Sequence, residues 1–132
     1  MAAEAATELH VELVAADRTV WSGEASMVIA RTVEGDVGVL RGHAPLLSLL
    51  TDAAVEISTP EGVVHAVVEG GFLSVANDRV SILSQQALLA EEIKIDEAKA
   101  ELEAAEGLHS GDEREMRIRR ASARIRAAEK AS

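Results

Sequence analysis

The apolar residues change period near Leu89, and that break constrains the chain more than any other feature. From Leu9 to Leu89 the sequence alternates. In LHVELVAA (9–16) Leu9, Val11 and Leu13 stand against His10, Glu12 and Val14, and in AVEIS (54–58) Val55 and Ile57 stand against Glu56 and Ser58. VVHAVVEGGFLSV and RVSIL are further Val-rich runs, and AADR, EGD, TPEG, EGG and AND punctuate the series at short, regular spacing. A period of two with such punctuation predicts many short antiparallel strands closed into a sandwich or barrel. Glu34-Gly35-Asp36 reads as a hairpin turn, because glycine accepts positive φ and Asp bonds its own backbone. Beyond Leu89 the period becomes helical. EEIKIDEAKAELEAAE (91–106) holds no Gly or Pro and is rich in strong helix formers. Gly107 ends it and LHSGDE turns the chain. Ser110 or Asp112 caps a second helix that runs to the C-terminus. The expected fold is β + α: an N-terminal antiparallel β-sandwich (residues 1–89) followed by a C-terminal antiparallel two-helix hairpin (residues 90–132).

Composition sharpens this. Of the 132 residues 48% are hydrophobic but only 2% aromatic, so the core is built from Val, Leu, Ile and Ala. The net charge of −10 excludes a general nucleic-acid binder, which needs a basic footprint, and adhesion to anionic lipid. The absence of cysteine excludes disulfides, thiol nucleophiles and Cys-based zinc sites. No apolar run approaches the roughly 20 residues of a membrane-spanning helix, so no direct membrane insertion is expected. The opening MAAEAATE has two acids and no Lys or Arg, unlike a signal or transit peptide, which points to a cytoplasmic protein.

The charge divides unevenly. Residues 1–90 carry 12 acids and 4 bases, residues 91–111 carry 7 and 2, and residues 112–132 carry 4 and 7. An acidic first helix can therefore attract a basic second one. Their apolar faces are thin: Ile95, Ala98, Leu102 and Ala105 on the first, Ile118, Ala121, Ile125 and Ala128 on the second. Alanine buries little area at about 25 cal/mol per Å², so the hairpin is expected to dock weakly and detach at modest cost. Trp21, the only tryptophan, is expected to report on the sandwich and stay silent to hairpin motion.

The stretch GDVGVLRGHAPLLSLL (35–50) invites chemical readings and resists them. A phosphate-binding loop needs GxxxxGK[ST], and Gly42 is followed by His43 and Ala44. The four histidines show no HxH or HExxH spacing, so no metal site is expected. Ser48, His43 and Asp36 could be written as a triad, but no GxSxG elbow accompanies them, and no catalytic residue is assigned. Arg114, Arg117, Arg120 and Arg124 recur at three and four residues and share one broad helix face, with Arg119 and Arg126 beside it. Such a stripe is either a solvated face paired with the first helix or a docking surface for an acidic partner or anionic ligand. The residues alone favour a binding or regulatory subunit over an enzyme and leave open an adaptor for some other acidic protein.

The same stretch closely resembles the GELGILPGHAPLL-type signature of the epsilon subunit of bacterial rotary ATP synthases (the delta subunit in mitochondria). LHVELVAADRTVWSGEASMV resembles that family's first two strands, VVEGGFLSVANDRVSILSQQA its GGFLEV…NNRVTVLAD-type segment, and IDEAKAELEAAE the start of its hairpin. The resemblance spans residues 8–130. It implies a sandwich clamped to the central-stalk gamma subunit and resting on the c-subunit ring, on the cytoplasmic face of the bacterial plasma membrane. It implies that this non-catalytic subunit couples proton-driven rotation to ATP synthesis. Glu34 and Asp36 would lie near the ring, with Arg41, His43 and Pro45 near gamma; Arg41 stands where the family usually has Pro. It further implies a hairpin that can extend along gamma, where Arg114, Arg117, Arg120 and Arg124 meet an acidic segment of the catalytic alpha/beta head and block hydrolysis. Some members bind regulatory ATP through an [IL]-D-x-x-R-A motif and second-helix arginines. The matching positions are Asp96, Lys99, Ala100, Arg120 and Arg124, with Lys99 replacing the motif's Arg and losing its planar fork. No resident cofactor is implied.

Overall fold

The computed structural model describes residues 8–131. The opening residues 1–7, on which the reading of the N-terminus rests, lie outside the described residues. Ten strands form two five-stranded sheets. The strands are β1 (Leu9–Ala15), β2 (Thr19–Ala25), β3 (Met27–Thr32), β4 (Gly35–Leu40), β5 (Leu46–Leu49), β6 (Ala53–Thr59), β7 (Gly62–Glu69), β8 (Phe72–Ala76), β9 (Arg79–Ser84) and β10 (Gln86–Leu89). The first sheet runs β2-β1-β9-β8-β5 and the second β10-β7-β6-β3-β4. The expected sandwich is present, with one feature that alternation leaves undetermined: β1 and β9 pair in parallel, Val11 opposite Val80 and Leu13 opposite Ile82.

The core lies between the sheets. Leu9, Val11, Leu13, Leu73, Val75, Val80 and Ile82 enter from the first sheet, and Val28, Ala30, Val39, Val55, Ile57, Ala66 and Val68 from the second, all buried. Alternation then places Asp52, Ala54, Glu56, His65, Val67 and Glu69 on the outer face of the second sheet. The β3–β4 turn is Val33-Glu34, one residue earlier than the sequence suggested, with Thr32 paired to Gly35 at its base. The Thr32 hydroxyl closes that turn, donating to Gly35 O (2.9 Å) and accepting from Glu34 N–H (3.1 Å).

The hairpin differs from expectation at its start. Ala90–Glu92 form a 3₁₀ turn and the first α-helix, α1, covers only Ile95–Glu106. Ile93 and Lys94 between them are extended. Arg18, in the β1–β2 turn, donates from Nη2 to both oxygens of Glu92 (2.6 and 2.8 Å), and Glu92 Oε1 also accepts Leu89 N–H (2.9 Å). Glu92 is thereby held to the sandwich and the helix begins beyond it. The second helix, α2, covers Asp112–Ala131. Gly111 precedes it and accepts the Glu115 N–H (3.1 Å), so Gly111 takes the capping position assigned above to Ser110 or Asp112.

At one end of the sandwich the chain passes Gly70-Gly71 between β7 and β8. Gly71 has φ +109°, and a Cβ there would lie 1.9 Å from Leu83 O. Both observations exclude a side chain. Gly71→Ala is expected to cost about 2–4 kcal/mol, from backbone strain plus overpacking, and to lower the melting temperature of the whole sandwich. Thermal unfolding followed by far-UV circular dichroism checks this; an unchanged melting temperature would contradict it.

Candidate functional site

The two outer faces of the sandwich differ sharply. On the second sheet, the register Ala53–Val68 brings Asp52, just before β6, opposite Glu69, the last residue of β7. Ala54 pairs with Val67 and Glu56 with His65 further along. The face is thus a carboxylate pair, an apolar pair, and a Glu–His pair in sequence. Helix α2 lies along it with matching layers. Asp52 Oδ2 accepts from Arg119 Nε (3.0 Å) and Arg120 Nε (3.3 Å). Glu69 takes Arg120 Nη1 at 3.5 Å and is hydrogen-bonded by Arg124 Nη2. Ala123 and Ala127 pack on Val67, with Ala54, Leu88 and Ile93 around them. Lys130 reaches Glu56 at 3.8 Å. The spacing agrees: four strand residues from Asp52 to Glu56 span about 13 Å. Ten helical residues from Arg120 to Lys130 span about 15 Å.

The carboxylates are preset by the sandwich. The side chains of Asp52 and Glu69 are only 6% and 8% exposed. Ser84, where β9 leads into β10, accepts the Glu69 N–H (3.2 Å) and donates to Gln86 O (2.8 Å), fixing the backbone beneath Glu69. Nearly buried carboxylates require cations, and among the described residues those supplied to these two come from α2. Neither acid was singled out in the sequence, where Asp52 follows a leucine run and Glu69 opens a turn signal.

The arginine stripe therefore divides. Arg120 and Arg124 turn to the sandwich together with Arg119, and Arg124 also pairs with Glu101 of α1 (2.7 Å). Arg114 and Arg117 are used within the hairpin. Arg114 Nη2 donates to Glu106 O at the end of α1 (3.5 Å), and Arg117 pairs with Glu113 one turn away (2.9 Å). The cleft of about 380 Å³ that Arg120 and Arg124 line is walled by Glu69, Gln86, Glu101, Ala104, Met116 and Arg117. Asp96, Lys99 and Ala100 are exposed on α1 and are not among its walls. The structure therefore does not gather the five positions of the nucleotide motif into that cleft.

The loop residues lie elsewhere. Asp36 sits opposite Arg31 across the β3–β4 ladder and accepts from its Nε (2.9 Å). This pairing, first through the hydrogen bond and then through charge, holds the Asp36 carboxyl below its ordinary value and the Arg31 guanidinium above its own. Asp36 and Arg31 share a small pocket of about 200 Å³ with Glu56, Arg126 and Lys130 near the end of α2. Glu34 is exposed at the turn. Arg41, Gly42, His43, Ala44 and Pro45 form the crossing from the second sheet to the first. Gly42 (φ +85°) donates to Asp78 Oδ1 (2.6 Å), which ties the crossing to the β8–β9 turn. His43 is half-buried and its Nδ1 donates to Ala44 O (2.7 Å), a conformational role; Arg41 and Pro45 are exposed.

The outer face of the first sheet is open and carries an apolar row. Leu49, Phe72, Leu83 and Val14 form one cross-strand row by register. The first three are 51%, 48% and 48% exposed, and Leu47, on the same face, is 72% exposed. A contiguous exposed apolar row of this kind marks an interaction surface. The leucine run after Pro45 is thus divided, Leu47 and Leu49 outside and Leu50 buried. Trp21 packs against the sandwich core and lines a cleft of about 550 Å³ with Val63, Val64, His65, Leu89, Ala90, Glu91 and Ala131 of α2, which puts it beside the end of the hairpin as well.

A β-sandwich with a helical hairpin laid on one face is the class of protein this geometry defines, and comparison with known proteins gives the family. Residues 8–90 match the family described as ATP synthase, Delta/Epsilon chain, beta-sandwich domain. The ATP synthase epsilon chain of Streptomyces griseus is 52% identical over 123 residues, covering 92% of this chain and 96% of that one. A chain in the cryo-EM structure of the Euglena gracilis mitochondrial ATP synthase (OSCP/F1/c-ring, rotational state 1) superposes with a TM-score of 0.72 at 27% identity, covering 93% of this chain and 78% of that chain. The fold also matches a chain of the Tetrahymena thermophila mitochondrial ATP synthase central stalk/c-ring structure, at TM-score 0.62 and 14% identity, over 93% of this chain and 95% of that chain. The chain belongs to the ATP synthase delta/epsilon family.

Two measurements follow from the geometry. Ala123 and Ala127 are fully buried, so a larger side chain at either position forces α2 off the sheet. Ala123→Leu is expected to cost the docked hairpin about 1–3 kcal/mol. It should speed amide exchange over residues 112–131 and leave β-strand protection as it was; equal exchange in both chains would refute the contact. Asp36, with its folded pKa depressed, contributes stability that is present above its unfolded value and is lost as pH falls through the folded one. A carbon-detected NMR titration of its carboxyl should place the midpoint below an ordinary Asp, and Arg31→Gln should raise it.

Proposed function

We propose that this chain is the epsilon subunit of a bacterial proton-translocating ATP synthase, a non-catalytic part of the central stalk. In this reading residues 1–89 form the rotor-binding domain, which transmits torque between the c-ring and the catalytic head, and residues 90–132 form a regulatory domain that inhibits ATP hydrolysis. The protein sits peripherally at the cytoplasmic face of the plasma membrane. Among the described residues no helix is long and apolar enough to cross a membrane, which accords with attachment through other subunits.

The observation that carries the reading is the open apolar row Leu49–Phe72–Leu83 with Leu47 beside it, on the face opposite the hairpin. It gives the sandwich a surface on which to be held while the hairpin is free to act. We assign it to the gamma subunit. Glu34 and Asp36 at the β3–β4 turn face the c-ring, and Arg41, His43 and Pro45 border the gamma contact. The similar chain of the Euglena gracilis mitochondrial enzyme belongs to a structure of OSCP, F1 and c-ring, which supports a place in the ATP synthase complex. For the hairpin to inhibit, Arg120 and Arg124 must leave Asp52 and Glu69 and join Arg114 and Arg117 against an acidic segment of the alpha/beta head. Regulatory ATP at Asp96, Lys99, Ala100, Arg120 and Arg124 must likewise displace Glu69 from Arg124.

Affinity purification of the tagged chain from detergent-solubilised membranes of its host tests the proposal. Co-recovery of gamma, alpha, beta and c subunits is expected, and Phe72→Glu should reduce it about tenfold or more, as loss of a central apolar contact does, while leaving the circular dichroism spectrum intact. Recovery alone or with an unrelated acidic protein would make the chain an adaptor instead.

A further inference from the structure

The arginines that the proposed regulation requires are already engaged with carboxylates belonging to the sandwich. We propose that Asp52 and Glu69 are an internal competitor: they occupy Arg120 and Arg124 of α2 in the docked hairpin and must be exchanged for the carboxylates of an acidic partner segment before the hairpin can act. This rests on the reading of the hairpin as a regulatory arm and adds what sets its resting state.

Four observations carry it. First, the apolar part of the docking is small. Among the described residues its buried members are Val67, Ala123 and Ala127, and none of the hairpin's residues belongs to the main core. The charged contacts therefore decide whether α2 stays down. Secondly, the backbone that carries Glu69 is tied to the sandwich, between the Ser84 hydroxyl and the Gly70-Gly71 corner, whereas the arginines arrive on another element. Thirdly, the match is imperfect. Arg124 Nε is buried with no acceptor, so closure forfeits one hydrogen bond that water or a second carboxylate can supply. Fourthly, opening returns Asp52 and Glu69 to water, so neither acid is left buried and unpaired, and the net preference for closure is modest. Glu101 travels with the hairpin and does not contribute to this preference. The chemistry recognised is a carboxylate cluster, since that is what Arg119, Arg120 and Arg124 hold in the closed state.

The test uses the isolated full chain, so its outcome does not depend on assembly. In Asp52→Asn/Glu69→Gln, amide exchange over residues 112–131 should accelerate about tenfold or more while β-strand protection holds. A synthetic helical peptide with an Asp/Glu-rich stretch, followed by calorimetry and Trp21 emission, should bind this variant at least about tenfold more tightly than the unaltered chain. Adding Arg120→Gln/Arg124→Gln should abolish that binding. Exchange or peptide affinity equal to that of the unaltered chain overturns the proposal. Binding of ATP without binding of the peptide also overturns it, because the arginines would then answer to phosphate. Should the acid substitutions disturb the sandwich, Arg120→Gln/Arg124→Gln alone, on the helix, must still release the hairpin; unchanged exchange there refutes the competition. Failure to co-purify with stalk subunits refutes the subunit assignment and leaves these readings of the latch standing.

Discussion

Two carboxylates nearly out of water, Asp52 and Glu69, set the position of everything C-terminal to the sandwich. An ionised carboxylate in such a place is tolerated only with cations and hydrogen bonds around it. Among the described residues the cations at their side chains are Arg119, Arg120 and Arg124 of α2. Helix α2, which also covers the pair, lies where its arginines reach it. The alanines at 123 and 127 then permit close approach over Val67, and Lys130 falls within reach of Glu56. The order of charge, alanine and charge along the helix matches the order along β6 and β7.

The corner that presents these acids is itself fixed by backbone constraints. Gly71 passes so close to Leu83 O that a side chain is excluded, and Ser84 ties Glu69 to the start of β10. The same corner links the two sheets and aims Glu69 outward. A single local geometry thus serves the integrity of the sandwich and the seat of the helix, which is why a defect there is felt in both.

Much of this was legible in the sequence, and the omissions have a common cause. Leu9, Val11 and Leu13 alternate with polar neighbours and are all buried, because period two reports directly which side of a sheet faces a core. Alternation is blind to strand direction, so the parallel β1–β9 pair was not legible. The first helix begins late because Glu92 is held by Arg18, 74 residues away, and no local propensity registers such a contact. Asp52 and Glu69 look like turn residues and become a pair only through the β6–β7 register. The arginines were visible as a stripe, but its division into a sandwich-facing and a hairpin-facing set depends on where the acids are. Hydrophobicity alone does not say whether Leu47 and Leu49 face a core or solvent, and the β5–β8 register puts them outside.

The two hydrophobic clusters have separate memberships, and this has a consequence for motion. The main core draws on residues from Leu9 to Leu89 and receives no side chain from α1 or α2, whereas the cluster beneath α2 is small and lies on the outside of the second sheet. Lifting the hairpin uncovers Val67 and its neighbours but opens no hole between the sheets. The cost of lifting is then set by a few alanine contacts and by the exchange of ion pairs for water or for other ions, and not by cavity formation. Upstream, the bidentate Arg18–Glu92 pair keeps the last sandwich residues in place, so the extended Ile93-Lys94 step is where backbone rotation can occur without breaking a strand or a helix. A rigid sandwich, an anchored exit and a helix held chiefly by charge are what the proposed exchange of ion pairs requires of the closed hairpin.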